Sequence, residues 1–201
     1  MLTKNDIKIA EFFIRNTKKR FSIREVSRQV KIDYKLVHNS IKRLIAKKVI
    51  NREKYGKTQL CSLNLKDAVD YLIQVENIKA EGFLGKNTGI KLIIKEIKEK
   101  IKVPYYTLIL FGSYAKSSSH EKSDLDLLII VPNKEFIKEA EIIIHSVASI
   151  KPIKIHSLVI QPEDFEEMLT AKEELNVANE ILKNHIIFHG AEAYYKLLEV
   201  L

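Results

Sequence analysis

The sequence predicts a two-module chain of the α/β (α+β) class: a small basic helical module ending in a β-hairpin, then a larger module in which helices flank a mixed sheet. Three observations predict it. The charge splits, with 17 Lys/Arg against five Asp/Glu (+12) in residues 1–64 and 17 against 21 (−4) in residues 65–201. The first part repeats helical periodicity between short turns and closes on two short strand-like segments. The second contains LILFGSYAKSSSHEKSDLDLLIIV at 108–131: an apolar strand, a Gly-Ser turn, then Asp-Leu-Asp opening a second apolar strand. The expected boundaries are 1–64, a helical connector at 65–85, and 86–201.

In the first module, Thr3 and Asp6 have the spacing of a capping box ahead of apolar residues at 7, 9, 10, 13 and 14, predicting a helix over 3–16. Phe21 fits a short strand. Ser22 and Glu25 open a second helix through Val30. Lys31-Ile32-Asp33 is a tight turn, and Asp33 caps a third helix to about Lys47. That helix buries Val37, Ile41, Leu44 and Ile45 and exposes Lys35, His38, Asn39 and Lys42. Strands at 49–54 and 58–63 follow, with Gly56 supplying a positive φ between them.

Helix, helix, tight turn, helix and basic hairpin resemble the winged helix-turn-helix family, over residues 1–64. The resemblance implies that the third helix presents its polar face to the major groove of duplex DNA. Lys35, His38, Asn39, Lys42 and Arg43 are its candidate DNA contacts, His38 and Asn39 to base edges. Arg52, Lys54 and Lys57 in the hairpin would follow the phosphate backbone.

The connector carries apolar residues at 68, 69, 72, 73, 75 and 78 and nothing chemical. A helix over 88–100 precedes the informative run. There, a strand ending in Gly112-Ser113 and turning into a helix aims backbone N–H groups and a hydroxyl outward, which suits a phosphate. Asp124 and Asp126 lie two apart on a strand, so both side chains project from one face. Two adjacent carboxylates repel unless a cation sits between them, and oxygen ligands suit Mg²⁺ or Mn²⁺. A phosphate cradle facing a dicarboxylate is the apparatus of metal-assisted phosphoryl or nucleotidyl transfer. No Gly-Lys-Ser/Thr follows the turn, which excludes a Walker loop.

Gly112, Ser113, Asp124 and Asp126, with the gap between them and the Ser-Asp-Leu-Asp-Leu-Leu flanks, resemble the minimal nucleotidyltransferases of the DNA polymerase beta superfamily. The resemblance covers about residues 86–201. Residues 173–201 are similar to the C-terminal helices of archaeal-type members. It implies nucleotide binding by Gly112, Ser113, Lys116 and Ser123, metal binding and catalysis by Asp124 and Asp126, and a nucleoside triphosphate as substrate or ligand. The family has a third carboxylate on a later strand. In the strand Pro152–Ile160 that position falls on His156. Two readings stay open there: a general base, or the mark of a site that binds a nucleotide and turns over slowly.

Composition excludes little else. Apolar residues make up 46% and charged residues 30%, as in globular proteins. No apolar run approaches the roughly 18 residues of a membrane span, and no signal peptide is legible. A cytoplasmic location is therefore expected. Cys61 is the only cysteine and reads as a small strand residue. The expected activity is nucleotidyl transfer with Mg²⁺ to an acceptor hydroxyl that the sequence does not name, with protein and RNA both open. The alternatives are a DNA-binding transcriptional regulator that senses a nucleotide, and an antitoxin-like partner-binding protein. A homodimer is compatible with all three.

Overall fold

The computed structural model describes residues 2–56, 58–116, 118–120, 123–171 and 176–201. The chain divides into two compact units, Met1–Val75 and Glu76–Leu201.

In the first unit α1 (Lys4–Arg15), β1 (Phe21–Ser22), α2 (Ile23–Val30) and α3 (Tyr34–Ala46) lead into the hairpin β2 (Ile50–Tyr55) and β3 (Thr58–Leu63). Local chemistry sets each boundary. Thr3 and Asp6 form a reciprocal capping box on α1, and Ser22 and Glu25 form another on α2. The Asp33 side chain accepts from the backbone N–H of Lys35 and Leu36 at the start of α3. Between α2 and α3 the chain reverses at Lys31, which adopts φ +53°. The strands form an antiparallel sheet in the order β1-β3-β2, and Gly56 turns the hairpin at φ +58°. Ile9, Phe13, Val26, Val37, Ile41, Leu44, Val49 and Cys61 are buried. Burial also pushes the Cys61 thiol up, away from the reactive thiolate.

The helix α4 (Leu65–Lys86) runs past the expected connector and enters the second unit at Glu76. Then come α5 (Thr88–Lys100), β4 (Thr107–Phe111), α6 (Gly112–Ala115), β5 (Leu125–Ile130), α7 (Glu135–Ala148) and β6 (Ile155–Ile160). The chain closes with α8 (Pro162–Thr170), α9 (Val177–Lys183), β7 (Ile186–His189), α10 (Ala191–Leu197) and a final turn of 3₁₀ helix. The sheet order is β6-β5-β4-β7, with β5 and β6 parallel and the other pairs antiparallel. Leu108, Leu110, Leu127 and Ile129 form one apolar face, packed with Ile90, Ile94 and Ile97 of α5 and Ala140, Ile144 and Val147 of α7. By the period of two, Asp126 belongs to the opposite face, with Leu128 and Ile130.

The tail departs from expectation. It is not helical throughout, because β7 interrupts it and completes the sheet against β4. Ile186, Ile187 and Phe188 are all buried. Three consecutive apolar residues, two of them β-branched, suit a short strand better than a one-sided helix.

A buried polar cluster ties this tail to α4. Glu76 is fully buried; its Oε1 accepts from Tyr195 Oη at 3.0 Å and faces His185 Nε2 at 3.1 Å, while Lys79 Nζ stands 3.2 Å from Oε2. His185 Nδ1 faces the Ile181 carbonyl at 2.6 Å. Both ring nitrogens thus stand within hydrogen-bond distance of an oxygen. Burial alone would push the Glu76 carboxyl up, but the His185 and Lys79 charges and the two hydrogen bonds outweigh it and bring it down to about 2. Among the described residues no helix is long and apolar enough to cross a membrane.

Candidate functional site

In the first unit, Lys35, Asn39, Lys42, Arg52 and Lys54 are exposed, and His38 is half-buried with its ring stacked near Tyr34. Lys57 lies outside the described residues. Arg43 also has a task within the fold. Its Nη2 donates to Asp6 Oδ1 at 2.7 Å and its Nε to Asp6 Oδ2 at 3.2 Å. Asp6 is buried, and burial opposes its charge, yet Arg43, Ser40 and Thr3 hold its carboxyl below the usual range. A guanidinium bonded to a buried carboxylate braces α1 against α3, and nearly half of the Arg43 side chain stays exposed. Sequence reading also passed over Arg24 and Arg28. Both line a hollow of about 510 Å³ with Tyr34, Thr58 and Gln59.

In the second unit β4 ends at Phe111, and Gly112 turns the chain at φ +69° into the single turn of α6. The turn requires glycine twice over. The left-handed backbone disfavours any other residue, and a Cβ there would stand 3.0 Å from Asp126 Cγ and closer still to its Oδ2. Phe111 pairs with Asp126 across the β4–β5 ladder, and Asp126 pairs with His156 across the parallel β5–β6 ladder. Asp124 lies one residue ahead of β5, where the Leu125 N–H donates to the Lys154 carbonyl at 2.8 Å.

Register thus brings together residues that are distant in the chain. His156 Nε2 stands 3.7 Å from Asp124 Oδ2, and its Nδ1 3.6 Å from Asp126 Oδ1. Lys154 Nζ lies 3.8 Å from Asp124 Oδ2. The ring therefore faces both aspartates. Burial raises the Asp126 carboxyl above its ordinary value; the His156 charge draws it down, and the Asp124 and Glu180 charges push it up again. The two aspartates are about a third exposed, so the site is open to a ligand.

The other expected nucleotide contacts are engaged within the chain. Ser123 Oγ accepts from the His120 N–H at 2.9 Å and meets the His120 ring at 3.2 Å. Lys116 Nζ donates to Glu180 Oε1 at 2.6 Å. Ser113 opens α6 beside Gly112.

Comparison with known proteins agrees with this geometry. Residues 90–188 match the family described as Nucleotidyltransferase domain. A Methanocaldococcus jannaschii protein named "Putative protein adenylyltransferase MJ0141" is 40% identical over 74 residues, which span 35% of this chain and 73% of that protein. The chain belongs to the nucleotidyltransferase domain family. No solved structure matches it significantly.

In this nucleotidyltransferase domain Gly112, Asp124, Asp126 and His156 converge. Lys154 and Glu180 were not singled out from the sequence. Lys154 could have been, since it sits two residues before His156 and shares its side of the strand. Glu180 could not, because nothing in the sequence signals that α9 approaches α6. Among the described residues no group of three or more His, Cys, Asp and Glu forms a complete ion cage. A pair of carboxylates still fits Mg²⁺, which keeps several waters and takes its other ligands from substrate phosphates.

Proposed function

We propose that this chain transfers a nucleoside monophosphate from a nucleoside triphosphate to an acceptor hydroxyl. The observation that supports this reading best is the meeting of Asp124, Asp126 and His156 beside the bare backbone of Gly112. Asp124 and Asp126 would hold a divalent cation, Mg²⁺ or Mn²⁺. When bound, that ion supplies charge neutralisation to the phosphates and orients them for in-line displacement. Gly112 and Ser113 would receive the phosphates, and Lys116 would answer their charge. The acceptor oxygen forms a bond to the α-phosphorus, the bond to the bridging oxygen breaks, and pyrophosphate leaves. His156 stands where it can take the proton released by the acceptor. The name of the archaeal relative favours ATP as donor and a protein hydroxyl as acceptor.

Asp124→Asn and Asp126→Asn should each weaken Mg²⁺-dependent binding of ATP at least tenfold, by removing a hard anionic ligand. The apo protein should keep its stability or gain slightly, since one of two repelling carboxylates is gone. Calorimetric titration and thermal melting check both halves. Unchanged affinity in both variants would remove the pair from the metal site.

A second reading has its own support. His156 stands at the place of a third carboxylate, and the first unit is strongly basic. On that reading the chain is a winged helix-turn-helix regulator whose transferase domain senses a nucleotide, or an antitoxin-like protein that binds a partner. The proposed DNA surface comprises Lys35, His38, Asn39, Lys42, Arg43, Arg52 and Lys54 with Arg24 and Arg28. Duplex DNA affinity of the whole chain should fall steeply with salt. Lys42→Ala with Lys54→Ala should flatten the log–log slope by about one unit per lost phosphate contact. Undetectable binding at low salt would end the DNA-binding proposal.

A further inference from the structure

We infer that Glu180 is a competitor for Lys116, a carboxylate that an incoming nucleoside triphosphate must displace before the site can close on it. This rests on the proposed nucleotide binding and adds a residue to it. Lys116 caps the short helix that begins at Gly112, so its ammonium belongs to the element that carries the phosphate turn. In the structure that ammonium is bound to Glu180 Oε1 at 2.6 Å, across 64 residues of chain. Glu180 lies in the first turn of α9, beyond the sheet.

The Lys116–Glu180 contact has the geometry of a latch. Both side chains remain partly solvated, at 44% and 36% exposure, and exposed pairs of this kind add little to stability. The contact can therefore open without disturbing the fold. A polyphosphate offers Lys116 several charged oxygens in place of one carboxylate. Once Lys116 turns to the phosphates, Glu180 is left without this cation. Every triphosphate bound must first break this contact, which sets affinity below what an unpaired Lys116 would give.

The test is calorimetric titration of the full chain with ATP and Mg²⁺, comparing native protein, Glu180→Gln, Lys116→Ala and the double variant. Glu180→Ala serves as a second removal of the charge, and thermal melting reports the fold. Glu180→Gln should bind about fivefold more tightly at unchanged melting temperature, a coupling of the size that single exposed pairs show. Lys116→Ala should bind more weakly, and in that background Glu180→Gln should change nothing. Equal tightening in both backgrounds would mean that Glu180 acts only as general negative charge, and the latch is overturned. Weaker binding in Glu180→Gln and Glu180→Ala, with the fold intact, also overturns it, because Glu180 would then assist the ligand. If neither native protein nor any variant binds ATP, the nucleotide-binding reading itself fails and the latch falls with it.

Discussion

Glu76→Ala should be the most destabilising single substitution outside the apolar core, costing about 3–5 kcal/mol in urea unfolding at neutral pH. That is a large share of the 5–15 kcal/mol typical of a domain. Glu76 is the common acceptor for Tyr195 and His185 and lies against Lys79. Its removal takes from the buried His185 ring the carboxylate it faces, and a buried polar group that loses its partner costs more than the lost attraction. Acid should reveal the same residue. The folded carboxyl sits near 2, well below its ordinary 4.5. A depressed folded value gives stability that is complete above the unfolded value and disappears as pH falls through the folded one. The gap between native protein and Glu76→Ala should therefore hold above pH 4.5 and narrow toward pH 2. A constant gap across that range would mean that the fold does not hold the Glu76 carboxyl below its unfolded value.

Gly112→Ala should abolish nucleotide binding, by about a hundredfold or more, while leaving the rest of the sheet folded. Two costs add. A left-handed backbone at a residue with a Cβ costs roughly 1–2 kcal/mol. The new methyl also occupies the place of Asp126 Oδ2, so the carboxylate must rotate out of its position beside Asp124 and His156. A carboxylate turned away from its partner no longer offers the cation that carries the phosphates a hard anionic ligand. ATP titration in Mg²⁺ and the melting temperature separate the two effects. Native-like affinity in Gly112→Ala would show that neither the turn nor the placement of Asp126 matters to the ligand.

Much of this was legible in the sequence, for a physical reason. Caps such as Thr3, Ser22 and Asp33, and the glycines at 56 and 112, act over three or four residues, so their spacing announces their job. The Gly112-Ser113 and Asp124-x-Asp126 pairs are likewise local, and the strands that carry them are runs of apolar residues. His156 emerged only by aligning strand periods. What stayed hidden depends on long-range packing. Arg43 reads as one more surface cation until Asp6 is seen beneath it. His185 carries no sequence pattern, yet it joins Glu76 across 109 residues. Residues 186–189 are too few for a period of two to outweigh the helical segments on either side. Glu180 became visible only when α9 was placed against Lys116.

The parallel pairing of β5 with β6 also constrains how this protein can drift. His156 faces the aspartates because it sits opposite Asp126 in the ladder. A slip of one residue between the two strands would put Ile155 or Ser157 at that point and turn the neighbouring side chains to the other face. A slip of two would restore the alternation and present Lys154 or Leu158 instead. A change of register at this ladder would therefore alter the residue that faces the aspartates as surely as a substitution does.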